Sequence, residues 1–379
     1  MDNEPVTAKS LSHTYMIDGG TFEKNYKDVL SDFRSWGQSP HASDWVLLPE
    51  NMGAHLGIDE TSFCHDVYTI LHNKDGHGGK HTIIAIVKGT KPSEVIKRLT
   101  QLPESIRLKV TDVTMDLSNS MGAIAKAVFP KAVIIRDCFH VIQRGGDGIE
   151  EIRLRIKREA IKEQKKEKTE FNKKMDRLAK RRKAYRAKHK RPKGRKRGRK
   201  PMRRTGFTPQ TLSNEETKVE SLTRCRKQMF KSRDKWTDSQ EERAKLLFEI
   251  YPKLKEAHSL INSLRNIFKN KSLTKETAKD RLHEWYNKVT ESTLREIKSV
   301  RDTIKAYEDE ILNFFISRAT NASAESLNSK LNLNNSYPST NNIVLLASTF
   351  TRHNSFKFAV YIRSQCGKFQ NNDICKRLA

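Results

Sequence analysis

Short apolar runs separated by turns dominate residues 51–139 and predict a β-sheet. The runs HLGIDETSF (55–63), VYTILHN (67–73) and HTIIAIVKG (81–89) are rich in Ile, Val and Thr, which favour strands. The segment KDGHGGK, between the second and third runs, is a turn signal. We therefore predict three consecutive strands joined as a meander.

Helical and strand patterns alternate after this meander. KPSEVIKRLTQL (91–102) has a proline at a helix start and apolar residues on one face, whereas IRLKVTDVTMDLS (106–118) has a strand pattern. NSMGAIAKAVF (119–129) predicts a helix, and KAVIIRDCF (131–139) predicts a buried strand. The order β-β-β-α-β-α-β predicts an α/β fold with a mixed sheet and helices packed on it. In that sheet the first and fourth strands lie side by side.

The regions on either side of this pattern differ from it. Residues 51–144 contain the predicted sheet, and residues 145–317 are almost wholly helical and heavily charged. Residues 1–50 are predicted to be a helical lead-in. The apolar residues that recur there at helical spacing are Phe22, Tyr26, Val29, Leu30 and Phe33.

The C-terminal part of the chain changes pattern once more. Residues 318–332 predict a short helix of small residues around an acid, and residues 145–317 are interpreted as a folded helical subdomain. Residues 333–379 are rich in Asn and Ser without a clear period, and we expect them to be a poorly ordered tail.

Positive charge is the most unusual feature of the composition. The net charge is +28 and the isoelectric point is about 9.9, which predicts a polyanionic partner, with nucleic acid as the default. Ribosome association or an anionic membrane surface are the alternatives. From Lys180 to Arg204, sixteen of twenty-five residues are Lys or Arg and none is acidic.

We predict that residues 180–206 form a disordered basic segment within the helical region 145–317. It binds phosphates non-specifically in one interpretation; in the other, RPKGRKRGRKP (191–201) lies in an A·T-rich minor groove. The predicted nucleic-acid-binding residues are Arg181, Arg182, Lys183, Arg191, Lys193, Arg195, Lys196, Arg197, Arg199, Lys200, Arg203 and Arg204.

Several protein classes are disfavoured by the sequence. No apolar run reaches the roughly 18 residues that span a membrane, and Met1 is not followed by a signal-peptide pattern. The five cysteines are scattered, without a C-x-x-C pair, which argues against a zinc ribbon and a disulfide framework. We expect a soluble cytoplasmic protein that binds no zinc and has no membrane partner.

Two acids lie at the ends of predicted neighbouring strands. Asp59 is on the first strand and Asp116 ends the fourth, where open α/β folds place ligands. Two close carboxylates repel each other unless a cation lies between them, and oxygen ligands suit Mg²⁺ or Mn²⁺. Either acid could instead be an ordinary turn or cap residue. Asp112 competes with Asp116, but it lies within the strand.

Further polar residues follow the last predicted strand and the helical region 145–317. Asp137, Cys138 and His140 are interpreted as a metal site, a catalytic dyad or simply the polar end of a strand. Glu325 lies among small residues on a predicted helix that could approach a sheet closely, although it could equally be a solvated helix acid.

Three blocks of the sequence resemble those of the DDE transposases of bacterial insertion sequences. The blocks are HLGIDETSF, VTMDLSNSMGAIAKAVFPKAVIIRDCFHVI and NASAESLNSKL. The resemblance runs from about Thr21 to Lys330 and is to the ISL-three-type group, particularly its shorter Bacteroidetes-like members. It implies a ribonuclease-H-like fold, similar to that of retroviral integrases, in which residues 145–317 are an all-α insertion before the last acid.

The resemblance also implies roles for individual residues. Asp59, Asp116 and Glu325 match the catalytic acids, which are expected to bind two divalent ions (Mg²⁺ or Mn²⁺). Asp137 and His140 match an accessory signature, interpreted as a hydrogen-bonded positioning pair or, alternatively, as a direct contact of His140 with DNA. Asn328 matches the last position of the pattern N-A-x-x-E-x-x-N within the third block.

The implied activity is cleavage of DNA at insertion-sequence ends, followed by strand transfer. The implied partners are double-stranded DNA and further copies of the chain, as a homodimer or larger, near the bacterial nucleoid. A separate polypeptide is expected to recognise the ends, because the zinc ribbon and helix-turn-helix of longer relatives are absent from the sequence. The alternatives are a ribonuclease-H-like nuclease or resolvase without strand transfer, and an inactive DNA-binding remnant.

Overall fold

A computed structural model of the chain describes residues 15–25, 29, 36–42, 44–63, 66–77, 82–189 and 206–321. Several predictions fall outside these residues. They are the catalytic acid Glu325, the accessory residue Asn328, most of the helix at 318–332, the tail at 333–379, and the basic residues from Arg191 to Arg204.

The described chain forms one six-stranded mixed sheet in the order β1-β4-β3-β2-β5-β6. Strands β2, β3 and β4 form the predicted antiparallel meander, and β5 and β6 run parallel to β2. The prediction that the first and fourth strands of the pattern are neighbours is confirmed, because β2 pairs with β5. The strands are β1 (Trp45–Leu47), β2 (His55–Phe63), β3 (Asp66–Asn73), β4 (Ile83–Lys88), β5 (Asp112–Met115) and β6 (Val133–Arg136).

The edge strand β1 is the element that the sequence pattern did not predict. It lies within the lead-in that was predicted to be helical, where the structure describes a helix, α1, at Gly19–Asn25. Three residues are too few to show an alternation. The Gln38 side chain stabilises β1. Its amide nitrogen donates to the Leu47 carbonyl at 2.6 Å, and its amide oxygen accepts from the Leu47 N–H at 2.8 Å. Tyr26, Leu30 and Phe33 lie outside the described residues.

Helices α2 (Pro92–Leu99) and α4 (Asn119–Val128) form as predicted. The strand predicted at 106–118 begins only at Asp112, because Glu104–Arg107 forms a helical turn, α3, instead. The Arg107 side chain stabilises this turn by donating to the carbonyls of Leu102 and Val128 at 3.0 and 2.8 Å.

The main core lies on one face of the sheet, beneath α2 and α4. Alternate residues of each strand point to the same face, and the apolar set of the central strands packs against the helices. This core includes Leu56, Ile58, Leu71, Val113, Met115 and Ile134 from the strands, and Val95, Leu99, Met121, Ile124, Ala125 and Val128 from the helices. The alternate residues of β2 and β5 therefore face the opposite side of the sheet.

The chain divides into two compact units. The first comprises residues up to 141, residues 273–279 and those from 306 onward, and the second comprises 142–272 and 280–305. The helices that follow the sheet are α5 (Cys138–Lys188), α6 (Lys218–Arg224), α7 (Arg226–Met229), α8 (Asp238–Ile250), α9 (Pro252–Lys269), α10 (Lys275–Glu291), α11 (Arg295–Ala306), α12 (Glu308–Leu312) and α13 (Phe314–Ser317).

The second unit is all helical and has its own core. Leu247, Leu254, Ile261 and Leu264 are buried in it, and the indole N–H of Trp285 donates to the Leu260 carbonyl at 2.7 Å. Among the described residues, none of the helices combines the length and the apolar character that crossing a membrane requires.

Candidate active site

The face of the sheet opposite the main core carries polar side chains at β2 and β5. The parallel register pairs His55 with Asp112 and Gly57 with Thr114. Side chains of residues i and i+2 in a strand lie on one face. The polar residues of both strands therefore share a face, and they approach the carboxyl end of the sheet together.

Asp59 and Asp116 come next along this register. Each lies two residues beyond the Gly57–Thr114 pair, Asp59 within β2 and Asp116 directly after β5. Continuing the register brings the two residues level with one another on the same face. Asp137, directly after β6, is level with them, because Met115 pairs with Arg136 and the Asp137 N–H donates to the Met115 carbonyl at 2.7 Å.

The chain turns sharply after Asp116. Its Oδ1 atom accepts the backbone N–H of Ser118 at 2.8 Å, and Ser118 is the N-cap of α4. This short-range hydrogen bond belongs to the turn chemistry of Asp. The strand therefore ends at the acid, and the carboxylate remains at the end of the sheet.

The electrostatics of this edge reflect clustered negative charge. The pKa of Glu60 is raised, first by partial burial and then by the negative charges of Asp116 and Asp59. A like charge nearby disfavours ionisation of a carboxyl group. The three carboxyl groups are thus close enough to interact, which is the condition under which a cation is favoured.

Asp112, the competitor for Asp116, is already paired. Its side chain is buried, its Oδ1 accepts from Lys74 Nζ at 2.7 Å, and its Oδ2 has a short contact with His55 Nδ1. Lys74 Nζ also donates to Thr114 Oγ1 at 2.6 Å. A carboxylate held by a buried lysine is poorly available to a metal ion, so the structure favours Asp116.

Asp137 serves as the cap of the long helix α5. Its Oδ1 accepts the N–H of Phe139 at 3.1 Å, as an N-cap side chain does. Burial raises the pKa of Asp137, while the Phe139 N–H, the charge of His140, the Asn321 N–H and Lys74 act against this rise. The charge of His140 acts on this carboxylate, and the pairing of Asp137 with His140 stays a prediction. The carboxylate also accepts backbone N–H groups.

Cys138 lacks the properties of a nucleophile or a metal ligand. Burial, together with the charge of Asp137, raises the pKa of its thiol to about 12. The reactive and metal-binding form of cysteine is the thiolate. Cys138 is therefore a protonated residue at a helix start, and the strand predicted to run to residue 139 ends at Arg136 because α5 begins there.

Asn321 brings the segment that precedes Glu325 back to the sheet. It is buried, and neither polar atom of its side chain has a hydrogen-bond partner among the described residues. Its Oδ1 atom would lie 2.6 Å from a Cβ atom at Gly57, and its backbone N–H bonds to Asp137. His72, the β3 partner of Gly57, lies close to the same position. It is fully buried, and burial lowers its pKa to about 3.

Gly57 is required by these close neighbours. A Cβ atom at this position would lie 2.2 Å from His72 Cε1 and 2.6 Å from Asn321 Oδ1. We expect Gly57→Ala to lower the free energy of unfolding by about 1–3 kcal/mol, as overpacking of a core does. Thermal unfolding of the full chain measures the change.

Gly37→Ala is the matched control, because no heavy atom lies within 4 Å of the added Cβ. It should change the stability little. Equal stability of Gly57→Ala and Gly37→Ala would contradict the close packing at β2. A glycine inside a strand was the sequence signal for this approach, whereas nothing in the sequence indicated the cluster of Lys74, Asp112 and His55.

The donor atoms at this edge suit a hard divalent cation. The carboxylates of Asp59 and Asp116 supply oxygen ligands of the kind that Mg²⁺ and Mn²⁺ prefer. Within the part of the chain that the structure describes, no group of three or more His, Cys, Asp or Glu side chains forms a metal site. The third predicted ligand, Glu325, lies outside that part.

The predicted DNA-binding residues are only partly described. Arg181, Arg182 and Lys183 lie in the last two turns of α5, and all three are exposed. Their chemistry fits phosphate contacts, which position a protein on DNA without reading its sequence.

The family of the chain follows from a comparison of its whole sequence. A family model described as a transposase, of the DDE type and the ISL3 group, matches residues 56–336. This range begins in β2, includes Asp59 and Asp116, and continues past Glu325. No curated protein matches the chain. Because the match covers most of the 379 residues, the chain belongs to the ISL3 group of DDE transposases.

Proposed function

We propose that this chain cuts DNA at the ends of an insertion sequence and joins the resulting 3′-hydroxyl groups to target DNA. Asp59, Asp116 and Glu325 would hold two divalent ions for this reaction. When bound, such ions would activate the attacking hydroxyl and stabilise the negative charge that develops on the oxygens around the phosphorus. The chain's own task is to hold three carboxylates in one place and to position the DNA.

The observation that carries the proposal is the register of β2 and β5. Continued two residues beyond the Gly57–Thr114 pair, this register brings Asp59, within β2, level with Asp116 at the carboxyl end of β5. This is the edge at which open α/β sheets bind their ligands. Burial raises the pKa of Glu60, and the negative charges of Asp116 and Asp59 raise it further.

Chain geometry supports the inclusion of Glu325. The backbone N–H of Asn321 bonds to Asp137, which is level with Asp116. Glu325 follows four residues later in the sequence. The described end of this segment, Asn321, is thus tied to the strand end beside Asp116, which supports the choice of Glu325 as the third acid.

The sheet also supports a ribonuclease-H-like fold for the first unit. A three-stranded meander followed by two parallel strands agrees with the fold that the family resemblance implies. In this account residues 142–272 and 280–305 are the helical insertion. Its basic residues, including Arg181, Arg182 and Lys183, contact the phosphates of the DNA backbone.

Asp137 and His140 have supporting tasks in this proposal. Asp137 caps α5 and accepts the N–H of Asn321, so it ties the start of α5 to the segment that leads to Glu325. His140 lies in the first turn of α5 and is partly exposed, where it can donate to a phosphate oxygen of the DNA.

The proposal is tested with the full chain and a DNA duplex that carries the inverted repeat flanking its coding sequence. In Mg²⁺ or Mn²⁺ we expect a nick that leaves a 3′-hydroxyl, followed by a joined product with target DNA. Denaturing gels separate the two products. Cleavage without joining would support a nuclease, and binding without cleavage would support a DNA-binding remnant.

A further inference from the structure

A buried arginine lies directly behind Asp116. Arg136 is the last residue of β6, and it is only 1% exposed. Its Nη1 atom donates to the backbone carbonyls of both Asp116 and Ser118, each at 2.7 Å. One nitrogen thus holds both ends of the turn that carries the Asp116 carboxylate.

The charge of this arginine is neutralised on its far side. Arg136 Nε donates to Glu310 Oε2 at 2.7 Å, and Lys126 Nζ contacts Glu310 Oε1 at 2.7 Å. Burial would raise the pKa of Glu310, but the hydrogen bonds from Lys126 and Arg136 outweigh burial and lower it. The carboxylate therefore stays ionised, and the guanidinium remains paired.

Two further contacts confine the guanidinium group. The ring of Tyr307 lies 4.4 Å from Arg136 Cζ, within the range of a cation–π contact, and the Tyr307 hydroxyl bonds to Asn119 at the start of α4. On another side there is room only because residue 122 is glycine, since a Cβ atom there would lie 2.5 Å from Arg136 Nη2.

We propose that Arg136 is a positioning residue that fixes the Asp116 carboxylate for divalent-cation binding, with Gly122 and Glu310 setting the place and charge of its guanidinium. The inference rests on the proposed metal-binding role of Asp116. It adds three residues that neither touch DNA nor bind the ion.

Two physical reasons support this assignment. Mg²⁺ accepts ligands in a narrow geometry at about 2.0–2.1 Å, so the backbone that carries a ligand must be held firmly. An unpaired arginine beside Asp116 would compete with the cation for the carboxylate. The Arg136–Glu310 pair keeps the Asp116 turn in place and adds little net positive charge beside the carboxylate.

Glu310 also connects the turn to the chain that leads to the third acid. It lies in α12, which is followed by α13 and Asn321. A second contact anchors this segment, because the Asn313 amide donates to the Ile134 carbonyl at 2.8 Å. The Arg136–Glu310 pair therefore joins the Asp116 turn to the segment that precedes Glu325.

The test is a titration of the full-length chain with Mn²⁺ alone, without DNA, followed by electron paramagnetic resonance of the free ion. Gly122→Ala is the decisive variant. It displaces the far end of one side chain and alters no charge, so the fold should remain. We expect the dissociation constant for Mn²⁺ to rise about 10- to 100-fold, the usual effect of residues that orient a metal ligand. Arg136→Gln should give a similar rise.

Arg107→Gln is the matched control. Arg107 also donates to two backbone carbonyls, those of Leu102 and Val128, but it does not contact the Asp116 turn. This variant should lose stability and keep the Mn²⁺ affinity of the wild type. Thermal unfolding of every variant separates a loss of folding from a loss of ion binding.

The outcomes distinguish this inference from the proposed function. A wild-type chain that does not bind Mn²⁺ would overturn both. A wild-type chain that binds Mn²⁺, together with a folded Gly122→Ala variant of equal affinity, would overturn only the role of Arg136. If Arg136→Gln does not fold, the result for Gly122→Ala decides.

Discussion

Replacing Asp116 or Asp59 by asparagine is expected to lower the rate of DNA cleavage by on the order of 10²-fold or more. Each change removes a carboxylate from the end of the sheet where the two strands bring the acids level. Binding of the same DNA should persist, because the chain carries a net charge of +28 and each change removes one negative charge. Cleavage assays and gel mobility shifts on one DNA end measure the two effects.

Asp66→Asn is the control for this pair. Asp66 begins β3 in the same sheet, but it forms an exposed ion pair with Lys88 at 2.8 Å. Exposed pairs contribute little to stability, so this variant should cleave at the wild-type rate. Cleavage at the wild-type rate by Asp59→Asn or Asp116→Asn would refute the assignment of the site.

Replacing Glu216 by glutamine is expected to lower the free energy of unfolding of the helical unit by about 3 kcal/mol. The Glu216 carboxylate is buried and accepts a two-pronged contact from Arg243 at 2.8 and 2.9 Å. Arg224 and Ser221 donate to it as well, each at 2.6 Å. Glutamine keeps the shape but leaves the charge of Arg243 without its partner, and chemical denaturation measures the loss.

The same network predicts a dependence of stability on pH. Hydrogen bonds from Arg243, followed by those from Ser221 and Arg224, lower the pKa of Glu216 from 4.5 to about 2 despite burial. A depressed carboxyl pKa stabilises the fold above the unfolded value, and this stability is lost as the pH falls from about 4.5 to about 2. The Glu216→Gln variant should lack this component of the acid sensitivity.

Glu241→Gln provides the comparison within the same unit. Glu241 pairs with Arg233 at 2.6 Å, but both side chains are well exposed. We expect little loss of stability, because exposed ion pairs contribute little. If Glu241→Gln and Glu216→Gln were equally destabilised, the buried network would not have the importance given to it here.

The sequence predicted the fold best where several consecutive residues must fit the same environment. Apolar runs bounded by turn signals predicted the meander and its two parallel neighbours, because a buried strand needs several consecutive residues to fit one environment. It was least informative at short elements. β1 has only three residues and is held by the Gln38 side chain, and α3 replaces the first part of a predicted strand.

The candidate site likewise has features that could be predicted from the sequence and features that could not. Its acids could be predicted, because Asp59 and Asp116 follow apolar runs and the strand order places those runs side by side. The contacts of Arg136 could not be predicted. They join residues 20 and 174 positions apart in the sequence, and a buried arginine at a strand end has no local signature. The hydrogen bond from the Phe139 N–H to the Asp137 carboxylate could not be predicted either, whereas the pairing of Asp137 with His140 stays a prediction.

The central claim is that Asp59 and Asp116 together hold a divalent cation. The most direct measurement is Mn²⁺ binding by the wild-type chain and by Asp59→Asn, Asp116→Asn and Asp112→Asn. We predict that the first two variants lose most of the binding, whereas Asp112→Asn keeps it, because Asp112 is engaged by Lys74 and His55. Binding lost in folded Asp112→Asn and kept in Asp59→Asn and Asp116→Asn would contradict the account.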